Sequence, residues 1–97
     1  MKEIKYNNKT IKLPFPSADY SDQPLEMETV HNPFSGASIA MPKFAVAVYD
    51  VTTGSNLIAE GYDRKHGMGT SPDWKTVRKG LDWFSRNFPK QYMVLLD

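Results

Sequence analysis

From Trp74 onward, apolar residues return every three or four positions: Trp74, Val77, Leu81, Phe84 and Phe88. That spacing lines one face of a helix. The boundary signals agree with it. Ser71 suits a cap, Pro72 the first helical position, and Asp73 the positive end of the helix dipole. Pro89 ends the run. The pattern predicts a helix over residues 72–87. Residues 90–97 are rich in Lys, Gln, Met and Leu, which favours a second short helix starting at Pro89 over a final strand.

Toward the N-terminus the period changes to two. Residues 1–13 read as a hairpin turning at Asn7-Asn8, because Asn tolerates positive φ. That turn sets Tyr6 opposite Lys9, Ile4 opposite Ile11 and Glu3 opposite Lys12, with Ile4, Tyr6, Ile11 and Leu13 on one face. Pro14 and Pro16 stop the second strand, and the polar residues 17–24, with Asp19 and Asp22, predict a loop. Leu25, Met27, Thr29 and His31 then alternate with Glu26, Glu28, Val30 and Asn32, a half-buried strand with Glu26 and Glu28 outward. In the following Asn-Pro-Phe-Ser-Gly string, Pro33 suits the second turn position and Gly36 the one needing positive φ. Residues 37–41 return as the partner strand until Pro42. The first 42 residues thus predict two hairpins, together forming a small antiparallel sheet.

Residues 43–62 support two readings. FAVAVYDV is rich in Val and meets a Thr-Thr-Gly turn before NLIAEGY, which describes a third hairpin. Phe44, Val48 and Val51 also fit a helical stripe, with Pro42 near its first turn. Propensity does not separate the two. Residues 61–73 read as a glycine-rich polar loop with a basic centre at Arg64, Lys65 and His66. The architecture expected is α+β, a single domain over residues 1–97. Its N-terminal sheet packs on C-terminal helices through the 74–88 stripe, with Met93 and Leu96 extending it.

Composition narrows the function classes. The net charge is +1, so no global field draws the chain to nucleic acid or a membrane. There are no cysteines, which excludes disulfides, thiolate nucleophiles and Cys-based metal sites. The N-terminus lacks a signal-peptide apolar run, and no segment reaches the length of a membrane span. A cytoplasmic protein with no membrane association is the expectation.

Four features could carry a function. Gly61, Gly67 and Gly69 leave backbone amides accessible just before a helix start, and with Arg64, Lys65 and His66 they describe an anion site. The spacing matches neither a Walker loop nor a dinucleotide fingerprint, and a plain surface connection accounts for it more simply. Lys75, Arg78 and Lys79, with Arg86, lie away from the apolar stripe, either as a phosphate-binding face or as a solvated helix face interrupted by Asp73 and Asp82. Gly80 inside a helix costs about 1 kcal/mol relative to Ala, which a close backbone crossing would explain. Trp83 beside it then either fills the edge of that crossing or serves as a partner-binding anchor. Phe34, on a turn, either projects for binding or folds back, and Tyr92 and Met93 near the C-terminus are further candidate partner contacts. His31 and His66 have no ligand-spaced companions, and no serine elbow is present. No cofactor, metal or catalytic set is called for.

The strings NPFSG, FAVAVYDV, KGLDWFSRNFP and the ending YMVLLD resemble a group of small uncharacterised proteins encoded by tailed bacteriophages, over about residues 30–97. The resemblance implies expression in a bacterial host cytoplasm and carries no site residue. In that group the stretch matching FAVAVYDV looks helical, which implies a helix near residues 42–53 here. The long DRKHGMGTSP loop and VTTGSN depart from the group. The leading expectation is a non-enzymatic protein that binds a host or phage protein, or itself. The second is a weak nucleic-acid-binding accessory protein using the basic loop and helix face. The third is a small enzyme with a loop-borne phosphate site.

Overall fold

A computed structural model describes residues 3–15, 20 and 22–96. The fold is α+β, with hairpins N-terminal and helices C-terminal. Strands β1 (Glu3–Tyr6) and β2 (Lys9–Lys12) pair antiparallel in the register expected, Ile4 opposite Ile11 and Tyr6 opposite Lys9. Asn7 and Asn8 hold φ of 51° and 63°, the left-handed pair a two-residue hairpin turn requires. Pro16, Asp19 and half of the expected 17–24 loop lie outside the described residues.

Strands β3 (Met27–His31) and β4 (Ser38–Pro42) form the second hairpin. The two hairpins stay separate two-stranded sheets rather than one sheet. Each is tied to a different part of the helical layer. Tyr6 of β1 packs edge-on against Phe44 at 5.6 Å, whereas Gln91 of the C-terminal helix donates to the β4 carbonyl of Ala40. The inward face of β3 also differs from the one expected. Val30 packs on the core while Leu25 and Met27 are exposed. Register explains this: Val30 lies opposite Ile39 and Glu28 opposite the fully buried Met41, and opposed residues share a face.

Helix α1 (Lys43–His66) resolves the contested segment. It is one helix of 24 residues, longer than the 42–53 stretch implied by the resemblance, and it takes in Gly61 to His66, expected as loop. Pro42 leads in, and the first amides are capped from outside the helix. Lys43 N–H donates to Glu26 O and Phe44 N–H to Pro24 O, at 2.8 and 3.0 Å. Thr52 and Thr53 hydroxyls back-bond to the Val48 and Tyr49 carbonyls, so the Thr-Thr-Gly string passes inside the helix instead of turning.

Helix α2 (Trp74–Asn87) starts two residues later than expected, after a turn at Pro72-Asp73. Ser71 still acts at the start, since its hydroxyl accepts the Asp73 N–H. Helix α3 (Pro89–Leu95) follows directly. The core joins all parts: Ile4, Ile11, Met41, Phe44, Phe84 and Phe88 belong to one cluster. Phe44, Phe88 and Trp83 form a ring network with centroids 5.5–6.2 Å apart.

Candidate functional site

Helices α1 and α2 pack against each other, and Gly80 sets how closely. A methyl group on Gly80 would overlap the Thr52 side chain, whose Cβ lies 2.9 Å from the point where it would sit. Trp83 closes the edge of this contact. It is 7% exposed, and its indole N–H donates to Lys12 O at 2.7 Å. Trp83 is therefore corrected from a partner anchor to a core residue. It lies within reach of the carbonyl at the β2 end, and Trp buries well when its N–H is satisfied.

On one flank of the α1–α2 pair a groove of about 640 Å³ opens. Tyr49, Thr53, Leu57 and Glu60 line it from α1, and Val77 and Leu81 from α2. The end of α3, with Leu95 and Leu96, and the β3–β4 turn beside it close a further border. Asn32 builds that border. Its side-chain oxygen accepts the Phe34 and Ser35 amides, and its Nδ2 donates to Val94 O of α3 at 2.9 Å. Gly36 supplies the positive φ of 76° the turn needs. Phe34 is 98% exposed at this rim, and Leu57 on the α1 wall is 68% exposed. Of the candidate partner contacts, only Phe34 lines the groove. Tyr92 packs against the core, because α3 turns that face inward. Met93 is exposed but away from the groove and does not extend the core as expected.

A second, smaller hollow of about 280 Å³ lies at the α1–α2 connection, lined by Asp63, Met68, Gly69, Trp74 and Arg78. It centres on a residue that attracted no notice in the sequence. The Asp63 carboxylate accepts the Gly69 N–H, the Ser71 N–H and the Trp74 indole N–H, at 2.8, 3.1 and 2.8 Å. Desolvation raises the Asp63 pKa, but these hydrogen bonds, with one from Thr70 N–H, together outweigh it and hold the carboxyl below its ordinary value. The loop amides read as an anion cradle are thus turned onto the protein's own carboxylate. No sequence signal marks this, because nothing in the spacing of Asp63 and Gly69 distinguishes it from a polar loop.

The six cationic candidates flank this connection. Arg64, Lys65 and His66 form the last turn of α1, where positive charge suits the helix dipole. Lys75, Arg78 and Lys79 recur at helical spacing on the exposed face of α2. Among the described residues the side-chain ion pairs are Lys43 with Glu26 and Arg86 with Asp82, so neither group is neutralised by one. Burial first and the charge of Glu28 second raise the Asp50 pKa on α1, in keeping with Glu28 facing that helix. Among the described residues no three His, Asp or Glu side chains gather as a metal site, and no helix is long and apolar enough to cross a membrane.

The chain matches no protein-family model, and no curated protein or solved structure is significantly similar to it.

Proposed function

We propose that the protein is a non-catalytic interaction protein, and that the groove between α1, α2, α3 and the β3–β4 turn receives a segment of another protein or of a second copy. The observation that supports this is the pairing of an almost fully exposed Phe34 with the apolar wall around Leu57. Contiguous exposed apolar surface on a small domain marks an interface, and a large ring at a groove rim is a typical anchor. The resemblance to bacteriophage proteins supports a partner, phage or host, met in a bacterial cytoplasm. A phosphate-binding enzyme is the weaker reading, since the Gly69 and Ser71 amides already serve Asp63.

A photo-crosslinking side chain placed singly at positions 34, 57 and 58 in bacterial cells tests the proposal. Ile58 is 60% exposed on the same helix but does not line the groove, so it is the control. Discrete adducts are expected from 34 and 57 and not from 58, and an adduct of two chains identifies self-association. Adducts forming as readily from 58, or from none of the three, would discard the groove as the interface.

A further inference from the structure

We infer that the α1–α2 connection binds single-stranded nucleic acid, with phosphates along the cationic residues and one base seated against Trp74. This surface is distinct from the apolar groove, and the inference does not depend on the reading given to that groove.

The electrostatics come first. Arg64, Lys65, Lys75, Arg78 and Lys79 are all exposed and make no ion pair among the described residues. The chain as a whole is nearly neutral, at +1, so these charges stand out by position and not by excess. The antiparallel contact at Thr52 and Gly80 brings the last turn of α1 and the first turns of α2 to the same end of the helix pair. Asp63 and Asp73 lie at the same connection and offset part of this charge, Asp63 as a carboxylate that the loop amides and the Trp74 indole hold toward its ionised form. Exposed cations without ion-pair partners are what contacts to the phosphates of a strand require.

The hollow supplies the second requirement. Trp74 forms its wall, Met68 is 96% exposed at its mouth, and Arg78 borders it. The indole is held by its bond to Asp63 and is half-buried, so the hollow has an aromatic wall in a fixed pose. An aromatic face beside a guanidinium is how proteins stack an unpaired base while holding its phosphate. A second ring pair, Tyr62 and His66, stands one turn back on α1 with centroids 4.3 Å apart and Tyr62 40% exposed. Stacking needs bases that are free of a duplex, so the fit is to a single strand.

The test uses the full chain and fluorescein-labelled twenty-nucleotide dT and rU oligomers, followed by anisotropy and by tryptophan emission. Trp83 is buried in the core, so quenching reports on Trp74. Binding is expected with an affinity that falls about 50-fold between ~50 and ~200 mM salt, the loss for about four phosphate contacts to a single strand. Arg78→Glu with Lys79→Glu should weaken binding at least tenfold with an unchanged circular dichroism spectrum, and Lys75→Gln with Lys79→Gln, the milder pair, should weaken it severalfold. By anisotropy, Trp74→Leu should weaken binding severalfold and Trp74→Phe should retain affinity. No binding at low salt, or binding indifferent to both charge pairs, overturns the inference. So does retention on anionic phosphatidylserine vesicles without binding to either oligomer. Equal affinity for a duplex of the same length overturns the base seat at Trp74.

Discussion

At Gly80 the presence of one hydrogen atom where other residues carry a methyl decides how near two helices lie. Alanine there would gain about 1 kcal/mol of helix propensity. It would also be driven into Thr52, and overpacking of a buried contact costs about 1–3 kcal/mol. The Thr52 hydroxyl cannot easily swing away, because it is buried and donates to Val48 O. Gly80→Ala is therefore expected to destabilise by about 1–2 kcal/mol in urea melts. Thr52→Ala in the same chain should recover part of the loss, since it removes the hydroxyl and methyl but leaves the Cβ. A stabilised Gly80→Ala protein would mean the helices do not touch there. Gly80 was legible as a close-approach site, because a glycine inside so regular a helix needs a reason. Thr52, its partner, was not, because it sits in a segment whose structure propensity left open. Trp83 falls off the centre line of the 74–88 stripe, yet neighbours on several sides widen the buried arc of α2 to include it.

Helix α1 is the element the sequence hid best. Its buried line runs Phe44, Val48, Thr52 and Ala59, at helical spacing, but two of those four carry little hydrophobic weight. Val-rich composition and a Thr-Thr-Gly string spoke for a hairpin in their place. Small residues won because α1 lies close against α2, where only small side chains fit. The strong local signals of the Asn-Asn turn and the Asn-Pro-Phe-Ser-Gly loop survived, and the stripe of α2 survived in part: Phe84 and Phe88 join the core, while Trp74 lines the hollow and Leu81 the groove. The groove could not be foreseen, since half its wall is α1. The same reasoning predicts the effect of Gly54, which lies mid-helix with open space around its Cα. Gly54→Ala should stabilise by about 0.5–1 kcal/mol, read as a shifted urea midpoint at constant slope. Gly36→Ala should do the opposite, because its φ of 76° suits glycine alone. If residues 43–62 turned at Thr53-Gly54 as a hairpin, Gly54→Ala would lose stability like Gly36→Ala.

Across the whole molecule, distant parts of the chain meet at a few polar ties laid over the shared core. Trp83 reaches back to β2, Gln91 to β4, and Asn32 forward to α3. Asn32 has the widest consequences, because one side chain does two things with its two ends. The oxygen organises the turn that carries Phe34, and the nitrogen holds Val94, and so the end of α3, against that turn. Turn and helix end together form one border of the groove. Substitutions can separate the two roles. Asp in place of Asn32 keeps the acceptor and loses the donor. Asn32→Asp is expected to leave the Phe34 and Ser35 amides protected while hydrogen exchange speeds up at Leu95 and Leu96. Asn32→Ala removes both ends, so exchange should speed up at the turn and at α3 together. The cost in stability should be about 0.5–1.5 kcal/mol for Ala, where the part-buried Val94 carbonyl and the exposed turn amides lose a partner. Equal protection patterns in the two variants would show that the turn and α3 are held by packing alone. The expected difference would make Asn32 the residue through which the hairpin and the C-terminal helix shape one groove. Asn32→Asp would then also weaken crosslinking from position 57 while Phe34 stayed in place.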